Sequence, residues 1–131
     1  APMIREKLAV LRGTPLKLYN AHIATLLESL RDGAHGFSGI MANFHPEMYV
    51  WLTRHIGHPN AERVQHVLTA ASLLEYQLYP TNAKYFLREF AHLPITTYCR
   101  VQDERKLTAH FREEIKQVAA MIEEAYATLC V

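Results

Sequence analysis

Apolar residues along this chain fall at helical spacing almost everywhere, with two short exceptions near the N-terminus. Ile4, Leu8 and Leu11 repeat at helical intervals and predict a helix over residues 3–12, stopped by Gly13. Gly13-Thr14-Pro15 reads as a turn, and Leu16-Lys17-Leu18-Tyr19 as a short strand. Ile23, Leu26, Leu27 and Leu30 then make one stripe of a second helix, ended by Asp32-Gly33. The run Phe37-Ser38-Gly39-Ile40-Met41 is short, largely apolar and bounded by turn signals. That is the pattern of a strand buried on both faces, as parallel strands are.

The order so far is helix, strand, helix, strand with short loops, which predicts βα units on a parallel sheet. Beyond residue 45 the alternation stops. Pro46 opens a helix carrying Met48, Val50, Trp51, Leu52 and Ile56, closed by Gly57-His58-Pro59. Asn60 is placed to cap a longer helix whose Val64, Val67, Leu68, Ala71, Leu74 and Leu78 form a wide apolar face. A shorter helix starts at Thr81 or Asn82 and runs to Phe90, and Pro94 ends that region. The last helix is expected over residues 103–129, with Leu107, Phe111, Ile115, Val118, Ile122 and Leu129 inward. The chain thus divides into βα units over residues 1–57 and a helical region over 58–131, an α/β protein that is mostly helical.

Composition narrows the picture by exclusion. Half of the 131 residues are hydrophobic, enough for a real core. Fourteen basic and 13 acidic side chains leave a net charge of +1, and no basic run interleaved with aromatics suggests a nucleic-acid surface. Apolar stretches are far too short to span a bilayer, and the N-terminus has no signal-peptide pattern. Cys99 and Cys130 lie far apart and read as free thiols of a reducing compartment. A soluble cytoplasmic protein without membrane or nucleic-acid partners is expected. Two parallel strands alone, however, leave unpaired edges. A closed barrel of βα units needs roughly 250 residues, so further strands are expected from outside this chain.

Three segments carry a resemblance. Residues 33–43, Gly33-Ala34-His35-Gly36-Phe37-Ser38-Gly39-Ile40-Met41-Ala42-Asn43, are similar to the last-strand motif of the dihydrodipicolinate synthase / N-acetylneuraminate lyase family. Leu16-Lys17-Leu18-Tyr19-Asn20 resembles the strand before it, and the run from Pro80-Thr81-Asn82 through Lys84 to Glu89 resembles the opening of that family's C-terminal helices. The resemblance implies the C-terminal part of a (β/α)8 TIM barrel, strands seven and eight with their helices, plus extra C-terminal helices. Family members form a Schiff base between a lysine on the sixth strand and a 2-oxo acid, usually pyruvate. The chain would begin just after that lysine, so no catalytic residue is assigned to it and no cofactor is implied. What the resemblance leaves here is a substrate-binding contribution from Asn20, Ala21 and His22 after strand seven and from Ser38, Gly39 and Ile40 in strand eight. Self-association is implied as well, because the family is commonly oligomeric.

One departure bears on substrate. Acidic residues come after the seventh strand in the lyase branch, whereas here Ala21-His22-Ile23-Ala24 stands in their place. Ile23 and Ala24 cannot hydrogen-bond a polyol tail, so a small aldehyde or semialdehyde is the expected partner for pyruvate.

Other chemistry-bearing residues have ordinary readings. Lys17 fits a strand-end lysine and Lys84 a structural one, since a Schiff-base lysine needs a desolvating barrel around it. Among eight histidines, His55 and His58 have two-ligand spacing, but no Cys or carboxylate cluster completes a metal site. Glu113-Glu114 with Lys116, and Glu123-Glu124, read as solvated faces. The competing functional reading is a non-enzymatic helical interaction or assembly module derived from the same family. Its interface would be an aromatic cluster of Tyr49, Trp51, Tyr76, Tyr79 and Tyr85.

Overall fold

A computed structural model describes residues 2–131. It is mostly helical, with one two-stranded parallel sheet near the N-terminus. Helix α1 (Pro2–Leu11) leads into strand β1 (Tyr19–Asn20). A 3-10 turn, Ile23–Thr25, then opens α2 (Leu26–Arg31), and strand β2 (Gly36–Phe37) returns beside β1. A second 3-10 turn, Ile40–Asn43, precedes α3 (Pro46–Arg54) and α4 (Ala61–Ala71). After a 3-10 stretch over Ser72–Tyr76 come α5 (Thr81–Glu89) and the long α6 (Ala109–Leu129).

Much of the predicted apolar stripes forms the core, although Val67, Leu78, Phe111 and Val118 are only half-buried and the α1 stripe of Ile4, Leu8 and Leu11 is not buried. Ile23, Leu26, Leu27 and Leu30 are buried, as are Val64, Leu68, Ala71 and Leu74, and Ile115, Ile122 and Leu129. α4 lies at the centre, packed by α6 on one side and by α2, α3 and the Ile23–Thr25 turn on others. Gln65 fixes this junction from inside. Its Oε1 accepts from the Leu27 amide at 2.8 Å, and its Nε2 donates to the Ile23 carbonyl at 2.8 Å. The first amides of a helix have no intrahelical acceptor, so Gln65 satisfies one of them across the core. One buried cluster therefore runs from Ile23 to Leu129, across the division at residue 57.

α2 ends where its glycine predicts. Gly33 takes a left-handed φ of +109°, the Gly33 amide donates to the Leu30 carbonyl and the Ala34 amide to the Ser29 carbonyl. This paired pattern is the Schellman motif, and it needs a residue without a Cβ at its left-handed position.

Several expectations change. The first strand is two residues rather than Leu16 to Tyr19; Leu16 and Lys17 precede it, exposed. The second is Gly36–Phe37, not Phe37 to Met41, and it is not buried on both faces, since Phe37 is half-buried and Ser38 exposed. A strand with only one neighbour has a short ladder, and the chain bends away so that Met41 reaches the core. Val50 points to solvent on α3. Asn60 does not cap α4 with its side chain; its Nδ2 instead donates to the Leu129 carbonyl at 3.0 Å and ties α4 to the end of α6. α4 stops at Ala71, and Leu78 lies outside it. The last helix begins after Thr108, whose hydroxyl accepts from the Phe111 amide at 3.2 Å. Asp103 caps a separate 3-10 turn over Glu104–Lys106.

Among the described residues, no helix is long and apolar enough to cross a membrane. Both cysteines are free and half-buried.

Candidate functional site

The six residues expected at a site lie at one rim, where β1 and β2 both end. The strands pair in parallel with Tyr19 opposite Gly36 and Asn20 opposite Phe37. The His35 amide donates to the Leu18 carbonyl at 2.7 Å, and the Ser38 amide to the Asn20 carbonyl at 3.0 Å. The loops Asn20-Ala21-His22 and Ser38-Gly39-Ile40 therefore leave the sheet side by side.

Each side chain there has a distinct part. Asn20 is buried and turned inward: its Nδ2 donates to the Thr25 and Ser29 hydroxyls at 3.1 and 3.0 Å. Its Oδ1 accepts from the His22 amide at 2.8 Å, closing a turn in which the side chain mimics backbone. Asn20 thus shapes the loop and offers no free amide to solvent. Ala21 and His22 are exposed at the tip, and so is Ser38. At Gly39 the two loops approach closely. A Cβ there would run into the Phe37 ring and lie 2.7 Å from the Ala21 carbonyl oxygen. Ile40 is half-buried and opens the turn that carries Met41 inward.

Glu75, on the 3-10 stretch after α4, is a residue the sequence did not point to. Burial pushes its carboxyl above the usual range, and the His22 charge pulls it back down. Asn43 Nδ2 approaches the Tyr79 hydroxyl at 3.5 Å.

Behind β2 the rings of Phe37 and Tyr49 stack with centroids 4.3 Å apart, and those of Tyr49 and His45 at 5.3 Å. Tyr49 and His45 are both buried, yet the Tyr49 hydroxyl and both His45 ring nitrogens have no hydrogen-bond partner. Burial alone holds the His45 pKa down to about 4, so the ring is neutral at pH 7. Burial, with the Glu75 charge nearby, pushes the Tyr49 phenol up. Neither residue was expected here. The signal was present in the spacing of His45, Met48, Tyr49 and Leu52, which puts all four on one helical face.

The remaining candidates have structural partners. Lys84 Nζ donates to the Tyr98 carbonyl and ties α5 to the irregular segment 91–103. His55 and His58 both contact the Trp51 ring, at centroid distances of 4.7 and 5.1 Å. His55 Nδ1 lies 2.8 Å from the Trp51 carbonyl and His58 Nδ1 accepts from the Asn60 amide. As neutral rings, His55 then carries its proton on Nδ1 and His58 on Nε2, so only His55 keeps a free lone pair. Among the described residues no three His, Cys, Asp or Glu side chains come together as a metal site would require. The aromatics expected as one interface cluster do not share one exposed surface: Tyr49 and Trp51 are buried, Tyr79 and Tyr85 half-buried, and of the five only Tyr76 is exposed.

No known protein family, curated protein or solved structure matches this chain.

Proposed function

We propose that this chain is the C-terminal part of a (β/α)8 barrel of the dihydrodipicolinate synthase / N-acetylneuraminate lyase type, a Schiff-base-forming aldolase or synthase acting on pyruvate or a related 2-oxo acid. The observation that carries the reading is the parallel pairing of Tyr19–Asn20 with Gly36–Phe37 across a single intervening helix. Consecutive barrel strands pair in this way, and barrel active sites lie at the rim where the strands end. At that rim the exposed His22 and Ser38 offer an imidazole and a hydroxyl. Backbone around Gly39 and Ile40 forms the wall, and Asn20 positions the loop. The unpaired outer edges of both strands are met by the remaining strands of the barrel.

In this reading the chain does no chemistry alone. A Schiff-base lysine needs a desolvated amine, and Lys17 is exposed while Lys84 is held by a carbonyl. The strands that precede it supply the lysine, no cofactor is used, and the intact enzyme is a cytoplasmic homo-oligomer. A small aldehyde is the co-substrate, because no acidic side chain directly follows β1 to bind the hydroxyls of a longer tail.

A second reading, a non-enzymatic helical interaction or assembly module derived from that family, is favoured by one observation. Most of the buried core belongs to α3, α4, α5 and α6.

The reading frame upstream of Ala1 separates the two. The enzyme reading expects a lysine-bearing strand within roughly fifteen residues, the reach of one strand and its loop. The longer polypeptide, treated with pyruvate and borohydride, then gains the mass of one reduced pyruvyl group, while the 131 residues alone gain none. A frame that starts near Ala1 or Met3, or a longer chain that takes up no pyruvate, sinks the enzyme reading.

A further inference from the structure

The start of α3, the end of α5 and the middle of α6 border an open cleft of about 490 Å3 that includes none of the strand-end residues and is independent of the barrel reading. That size is in the range of small-molecule sites. Its walls are aromatic. The Phe44 and Phe86 rings meet edge to face with centroids 5.2 Å apart, and Phe86 and Phe90 lie at 5.2 Å. His45 lines the same cleft, is only 3% exposed, and has no partner for either ring nitrogen. A neutral imidazole keeps one lone pair, and leaving it unpaired in a buried place is costly.

The charges around the cleft have one sign. Glu47 and Glu123 both line it, no Lys or Arg does, and neither carboxylate has an ion-pair or hydrogen-bond partner among the described residues. Glu47 has a bland explanation in the first turn of α3, where an acidic group complements the helix dipole. Glu123 sits well inside α6, away from its first turn, on the helix's exposed face.

We propose that this cleft binds a small primary ammonium compound with an apolar, ring-bearing body. The ring packs among Phe44, Phe86 and Phe90. The ammonium lies between the Glu47 and Glu123 carboxylates and donates one N–H to the His45 lone pair. Aromatic faces favour a cation as well as a ring, whereas an anion would meet two carboxylates and no compensating charge. Because burial holds His45 neutral, the imidazole accepts from the ammonium without repelling it.

The test is methyl NMR on the full chain, following Met48 and Ile122, which both line the cleft. Titration with 2-phenylethylammonium is expected to shift both signals saturably, and the same titration with 3-phenylpropionate to leave them in place. Glu123→Gln is expected to weaken binding about three-fold, as an exposed ion pair allows. His45→Phe keeps the aromatic volume, removes the acceptor and weakens binding further, with an unchanged methyl spectrum reporting an intact fold. Equal shifts from the carboxylate, full affinity in Glu123→Gln, or no shift from either compound would each overturn the proposal.

Discussion

The strand-bearing N-terminal region and the helical body differ in how completely they bury what they present. In the body, Val64, Leu68, Ala71 and Ile115 have no exposed surface, and α4 is covered by its neighbours on several sides. In the N-terminal region α1 has no buried residue, and Leu16 and Tyr19 stand 62% and 48% exposed beside a two-residue ladder. A short strand pair cannot stabilise itself, so this sheet persists because α2 is anchored to α4 through Leu26, Leu27 and Gln65. The body is organised as a core; the strands are a two-residue ladder held at its edge.

Substitution at matched residue types breaks the comparison most sharply. Leu68→Ala is expected to cost about 2–5 kcal/mol, because it opens a cavity where every neighbour is already packed. Leu16→Ala, the same chemical change on the strand side, is expected to stay within about 0.5 kcal/mol. Urea unfolding of both variants measures the difference. Equal losses would mean that the strand approach is packed as tightly as the body, and the distinction would fall.

That contrast also marks what was legible in the sequence. Stripes at 3.6-residue spacing are read easily where one face is buried by its own chain, so Ile23, Leu26, Leu27 and Leu30, and Val64, Leu68, Ala71 and Leu74, fell where expected. The start of α3 at Pro46 was equally plain, and that of α5 falls on Thr81, one of the two expected positions. The strands were drawn too long and overlap the observed ones only at Tyr19 and Phe37, because an apolar run such as Phe37 to Met41 records an inward destination for Met41 and not the conformation that takes it there. Leu107 misled for the same reason: its inward direction continued the helical period, while Asp103 and Thr108 cap two separate elements. Of the candidate rim, adjacency could be read from element order, but the inward turn of Asn20 could not. Its partners Thr25 and Ser29 are polar residues that look like surface positions in sequence.

A second test weighs His45, which stands where the two regions meet, between the Ile40–Asn43 turn and α3. Burial lowers its pKa from 6.5 to about 4, so the unfolded chain takes up a proton more readily than the folded one between those values. Stability from this group is complete above pH 6.5 and is lost as pH falls toward 4. The loss amounts to roughly 3 kcal/mol once both states are charged. His45→Leu should flatten that part of the pH profile measured by chemical denaturation. It should also raise stability at pH 7 by about 1 kcal/mol or more, since two unpaired buried nitrogens disappear. An unchanged profile would show that His45 is hydrated in solution.

The smallest effect concerns α1, the least anchored helix of the N-terminal region. Its link to α2 is the Arg5 guanidinium, with Nε 2.7 Å from Asp32 and Nη2 2.8 Å from Glu28. Both pairs are open to solvent, so they are screened by salt and hold position more than they stabilise. Arg5→Ala should leave the global melting temperature in place, because no core residue loses a neighbour. Amide exchange over Pro2–Leu11 should rise to the rate of an unanchored helix, and 0.5 M salt should do the same to the unmodified protein. A helix that keeps its protection in both conditions would have to be held by Ile4, Leu8 and Leu11. That would make α1 part of the body's core and move the boundary between the two regions to the start of the described chain.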